Sequence, residues 1–165
     1  MECAYRSHRV FLPLRIASFS GDYSFLSNFH PSPVLMDGQQ YPTVEHAFQA
    51  AKTTSVAERQ VIQMIRSPGQ AKRQGRKVTL RDGWELIKLN VMLQLLRRKF
   101  DFDSVLAHKL LATGDKELIE GNTWNDTYWG VCGGKGENHL GKLLMQVRKE
   151  LQESERRLYG EEPPT

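Results

Sequence analysis

The chain has 165 residues, 39% of them hydrophobic and 25% charged, and a formal net charge of +4. That is the composition of one globular domain, large enough to bury about two thirds of its unfolded surface without disulfide or metal staples. No apolar run is long enough to cross a bilayer as a helix, and MECAYRSHRVFLPLRIASFS lacks a signal-peptide core and cleavage site, so a cytoplasmic protein is expected.

In chain order, RIASF (15–19) and VLMDGQQY (34–41) read as short strands, the second carrying an Asp-Gly turn signal for a hairpin. Between them, FSGDYSFLSNFHPSP sets Ser27 and Asn28 among Phe25, Leu26 and Phe29, so small polar groups lie against aromatic walls or close a buried turn. TVEHAFQAAK (43–52) reads as a helix with Pro42 before it and Thr43 as its cap. Val44, Ala47, Phe48 and Ala51 form its core face, while the helical period puts Glu45, Gln49 and Lys52 on one stripe. By spacing alone that stripe is either a solvated ladder or the side of a cleft.

Further helices are expected over 56–66, from the Ser-Pro-Gly of 67–69 to near Gly75, over 82–99, 103–112 and 138–158, with KELIE (116–120) as a strand. The 82–99 segment has a wide apolar stripe through Trp84, Ile87, Val91 and Leu95, and the last helix buries Leu140, Leu143, Leu144, Val147 and Leu151. The sum is a helix-rich α+β domain over 15–158, with an N-terminal extension (1–14) and a disordered tail (159–165).

Charge is unevenly spread. From Arg59 to Lys99 there are eleven Lys and Arg against Asp82 and Glu85, a local +9 that leaves the remainder at −5. Such a segment favours anionic partners, or is a set of solvated helix faces. GNTWNDTYWGVCGGKG (121–136) reads as a loop holding Trp124, Tyr128, Trp129 and Asp126. Its two tryptophans could sandwich a planar base while Asp126 handles protons or hydroxyls; equally, the loop could bury them as a satellite core. Cys3 and Cys132 fit no zinc spacing or disulfide framework, the histidines show no metal pairing, and neither metal nor cofactor is expected.

FLSNF, TVEHAFQAAK, AKRQGRKVTLRDGWE, WNDTYWG and GENHLGKLLMQVR, in this order over about 17–150, resemble the NADAR (YbiA-like) family. The resemblance implies an N-glycosidase with a helix-rich α+β fold, a small antiparallel β-sheet and no metal. It implies action on a ribose whose C1 is bonded to an exocyclic amine: ADP-ribosylated guanine in DNA or nucleotides, or ribosylamino-pyrimidine intermediates of riboflavin biosynthesis. Motif by motif, it implies catalytic roles for Glu45, Lys52 and Asp126, with base stacking by Trp84 and Trp129. Ser27, Asn28, Phe29, Gln49, Trp124, Gly130 and Asn138 join them as substrate contacts, and Arg73, Arg76 and Lys77 as phosphate binders. Many bacterial members similar to the riboflavin-intermediate enzymes carry an acidic residue directly after Trp-Gly, where Val131 and Cys132 stand here; with the basic middle segment, this favours the ADP-ribosyl substrate. A module that only binds ADP-ribose or NAD is the alternative from another class. No membrane or obligate protein partner is expected.

Overall fold

The computed structural model describes residues 14–160; Cys3 and most of the expected N-terminal extension and tail lie outside them. The elements run β1 (Arg15–Ile16), a 3-10 helix (Gly21–Leu26), β2 (Val34–Met36), β3 (Gln39–Tyr41), α1 (Val44–Ala51), α2 (Val56–Met64) and α3 (Pro68–Gln74). Then follow α4 (Trp84–Lys99), α5 (Val105–Leu111), β4 (Glu117–Leu118), β5 (Gly121–Asn122), β6 (Val131–Cys132) and α6 (His139–Tyr159).

Side-chain caps explain why the helices start where they do. Thr43, Ser55, Ser67 and Ser104 each accept the backbone N–H three residues on, satisfying a donor that the first turn leaves free. Pro68 begins α3, where its missing N–H costs nothing. The β2–β3 hairpin turns on Asp37 and Gly38, both at positive φ (50° and 75°), which matches the twist of the flanking strands.

The strands differ from the expected small antiparallel sheet. Among the described residues they form three two-stranded pairs, of which only β2–β3 is antiparallel. β1 pairs with β4 in parallel (Ile16 opposite Leu118), and β5 with β6 (Asn122 opposite Cys132). Thus 121–136 is not all loop: residues 121–122 zip to 131–132 and fix what lies between. The 15–19 strand shrinks to two residues, and the FLSNF segment begins inside a 3-10 helix that hydrophobic spacing did not announce. Of the expected tail, Tyr159 is helical and Gly160 caps α6 in the left-handed region.

Helix α1 is the centre of the molecule. It packs on α2, α3, α4 and the β2–β3 hairpin, and all eight of its residues are buried. Around it lie Leu26, Tyr41, Ile62, Met92, Leu96 and Phe100; α6 closes the far side with Leu140, Leu144, Val147 and Leu151. Side chains of this size each contribute about 1.5–3 kcal/mol on burial.

Candidate active site

The burial of α1 removes the solvated-ladder reading. Glu45 is 5% exposed and Gln49 3% exposed, and Gln49 Nε2 donates to Glu45 Oε1 at 2.8 Å. A buried carboxylate is costly unless hydrogen-bonded, and one donor one turn away is the least that holds it. Gly75 at the end of α3 makes room for this pair, because a Cβ there would collide with the Gln49 amide. Gln49 therefore orients Glu45. Asn28 acts on the same helix through its backbone: its carbonyl accepts the Glu45 N–H at 3.1 Å, and its side-chain Nδ2 points to Met92 Sδ at 3.5 Å. Ser27 Oγ accepts the Phe29 N–H, and the Phe29 ring, itself exposed, reaches Gly69 on α3.

Lys52 ends α1, half-buried, with Nζ 5.9 Å from the Phe48 ring centroid. Burial lowers its pKa from the ordinary lysine value, the Glu45 charge opposes that fall, and the Lys72 and Arg76 charges add to it. The Glu45 carboxyl is raised, first by burial, against the Gln49 hydrogen bond and the fields of Lys72 and Lys52.

Asp126 enters from the β5–β6 segment. Its Oδ1 accepts the Trp129 N–H at 2.9 Å, its Oδ2 lies 3.6 Å from Lys72 Nζ, and its backbone exchanges two hydrogen bonds with the Asn122 amide. Both carboxylate oxygens are engaged, so Asp126 makes the turn and faces the cleft at once. The aromatic wall is Phe48, with Trp84 at 5.2 Å and Trp129 at 5.3 Å between ring centroids; Tyr128 stands edge-on behind Trp129 and carries Lys88 Nζ 3.9 Å over its ring.

The expected residues thus divide. Glu45, Gln49, Lys52, Asp126 and Trp129 come together. Trp84 departs from the open stacking face expected of it, being 5% exposed and packed on Phe48, where it backs the wall. Asn138 departs from a substrate contact, since its side chain is consumed by accepting the Glu120 N–H at 3.1 Å and donating to the Leu118 carbonyl at 2.9 Å. Gly130 is a packing requirement: a Cβ there would strike the Glu120 carbonyl and the Asn122 amide. Trp124, 62% exposed, stands on the outside of its loop. Arg73, Arg76 and Lys77 are exposed, and Arg76 is the one whose charge is felt at Lys52.

Two cleft residues were missed. Lys72 was passed over for its neighbour Arg73, yet it lies three residues from both Gly69 and Gly75, the glycines of α3 that approach the 27–29 segment and α1. That spacing was the available signal. Glu120, at the end of KELIE, had no sequence signal, and its position depends on β4, Asn138 and Gly130 meeting in space. A groove of about 800 Å³ between the hairpin and the end of α4, lined by Leu35, Asp37, Arg97, Arg98 and Asp101 among others, shares no residue with the cleft. Among the described residues, no group of three His, Cys, Asp or Glu is placed to hold a metal ion, and no helix is long and apolar enough to cross a membrane.

The NADAR domain model matches residues 17–152. The N-glycosidase YbiA of Escherichia coli is 45% identical over 137 residues, covering 81% of this chain and 85% of that protein. A riboflavin biosynthesis protein of Vibrio vulnificus is 38% identical over 151 residues, 90% of this chain and 41% of that longer protein. The solution structure of E. coli YbiA superposes with a TM-score of 0.76 at 42% identity, covering 86% of each chain. The α+β architecture, the aromatic-walled cleft and these likenesses converge: the chain is a member of the NADAR domain family.

Proposed function

We propose that this chain is an N-glycosidase that hydrolyses the bond between ribose C1 and the exocyclic amine of a ribosylated base, with ADP-ribosylated guanine in DNA or a nucleotide as substrate. The observation that carries the reading is a buried carboxylate, Glu45, oriented by Gln49 and sharing its helix face with a lysine whose pKa burial lowers. A lysine so placed has a larger neutral fraction than a solvated one, which is what an amine nucleophile needs.

A ribosylamine opens through an imine. Lys52 Nζ adds to C1, the base leaves as its free amine, and water releases the sugar from the lysine imine while Glu45 moves the protons. Alternatively Glu45 activates water directly and Lys52 supplies only charge. Trp129, half-buried and edge-on to the buried Phe48, offers an apolar face for the base. Arg76 beside Lys52, with exposed Arg73 and Lys77 in the same segment, suits a diphosphate.

The name of the V. vulnificus relative favours a second reading, a ribosylamino-pyrimidine of riboflavin biosynthesis. Turnover of both substrates by the wild type and by Glu45→Ala separates the possibilities. Faster, Glu45-dependent release of ADP-ribose from ADP-ribosylated DNA is expected; turnover of the pyrimidine alone reverses the substrate assignment, and tight binding of ADP-ribose without turnover of either makes the chain a binding module.

A further inference from the structure

Glu120 has no role in the scheme above, yet among the described residues it is the one titratable side chain with a buried polar atom that lacks a partner. Its backbone is pinned on both sides: the N–H donates to Asn138 Oδ1 at 3.1 Å, and the carbonyl accepts the Val131 N–H at 2.8 Å. Gly130 lacks the Cβ that would collide with it. The left-handed Asn138 (φ 53°), a conformation Asn tolerates better than most residues, aims its amide back at this strand end. All this fixes a carboxyl whose Oε2 is buried without a hydrogen-bond partner.

The charged groups facing that carboxyl are Asp126 on its own segment, Lys72 on α3 and Glu45 on α1. It therefore stands among the residues assigned to the reaction, at the β4–β5 turn. Of the three carboxyls, Glu45 already accepts from Gln49, and Asp126 has both oxygens engaged. Among the described residues, only Glu120 has a carboxyl oxygen that is both buried and without a partner.

Resting on the N-glycosidase reading, we infer that Glu120 is the acid that protonates the departing amine, and that Asn138 and Gly130 are its positioning residues. As the C1–N bond breaks, its electron pair stays on nitrogen and takes the Glu120 proton. Water or Lys52 supplies the electron pair of the new bond to C1. The Glu120 carboxylate then regains a proton from the water that completes hydrolysis. Burial first, then the Asp126 charge, raise this carboxyl to about 7, with Lys72 opposing, so it still carries a proton near neutrality.

The test is kcat, KM and pH profile of wild type, Glu120→Gln and Glu120→Asp on whichever ribosylamine the wild type turns over. An acid must be protonated to act, so wild-type kcat should fall as pH rises through about 7. Glu120→Gln is expected to lower kcat by about 100-fold or more with little change in KM, and to erase that alkaline limb. Glu120→Asp, which keeps the acid but withdraws it, should keep the limb at reduced kcat and covers the case in which the amide variant does not fold. Glu120→Gln with wild-type kcat and an unchanged limb overturns the assignment, as does a fully active Glu120→Asp with no alkaline limb. A wild type inactive on every ribosylamine tried overturns instead the reading on which the assignment rests.

Discussion

In the cleft between α1, α3 and the β5–β6 segment, Glu45, Glu120 and Asp126 all lie in the field of Lys72, and Glu45 also in that of Lys52, so each carboxyl has opposite charge nearby. Under the 25–29 segment, Lys99 is buried differently: Nζ donates to the Ser27 carbonyl at 2.7 Å, lies 5.1 Å from the Phe100 ring centroid, and burial alone takes its pKa down to about 7. The first arrangement leaves several groups ready to exchange protons. The second spends one amine on holding a carbonyl, next to the Asn28 that caps Glu45. Buried charge therefore marks chemistry where signs alternate and architecture where one donor meets one acceptor.

The largest expected effect sharpens that contrast: Glu45→Gln should keep the fold and lower kcat/KM by about 10²–10⁴-fold, measured on the preferred substrate. Near-wild-type turnover would remove the cleft from the chemistry. Next, borohydride added during turnover should trap a sugar adduct on Lys52, and Lys52→Arg should lose both adduct and activity. An active arginine variant, with no adduct in the wild type, leaves Lys52 a purely electrostatic role.

Lys99→Met tests the architectural half. The folded-state pKa of about 7 lies below the ordinary 10.5, so between those values the unfolded chain binds more protons and stability rises with pH. Below about 7 both states are protonated and the full cost of burying the cation is present. Chemical denaturation of Lys99→Met across this window should show a flatter pH dependence, with activity retained; an unchanged slope would mean that the amine is solvated.

A smaller effect is expected of Gly75→Ala, which drives a methyl into Gln49: about 1–3 kcal/mol of stability, with turnover falling because Glu45 loses its orienting donor. Smallest, Trp124→Ala should leave stability within about 0.5 kcal/mol, its ring being largely exposed. If it weakens binding of a DNA substrate but not of a mononucleotide, the ring stacks outside the cleft.

Much of this was legible in the chain. Helix α1 with its Thr43 cap, the core positions Val44, Ala47 and Phe48, and the shared stripe of Glu45, Gln49 and Lys52 follow from a period of 3.6 and a capping pattern, both local properties. The Asp37–Gly38 hairpin and the long amphipathic α6 follow likewise from turn chemistry and periodicity. Other features required partners distant in sequence. That the Glu45 stripe is buried was decided by α3 laying Gly75 against Gln49. The switch of Trp84 to a backing residue was decided by Phe48, and of Asn138 to a clamp by the strand end at Leu118 and Glu120. Glu120 entered the cleft because Asn138 holds its N–H at the end of β4 and Gly130 leaves room beside its carbonyl. Periodicity specifies which residues share a face; only packing decides whether that face meets water, another helix or a substrate.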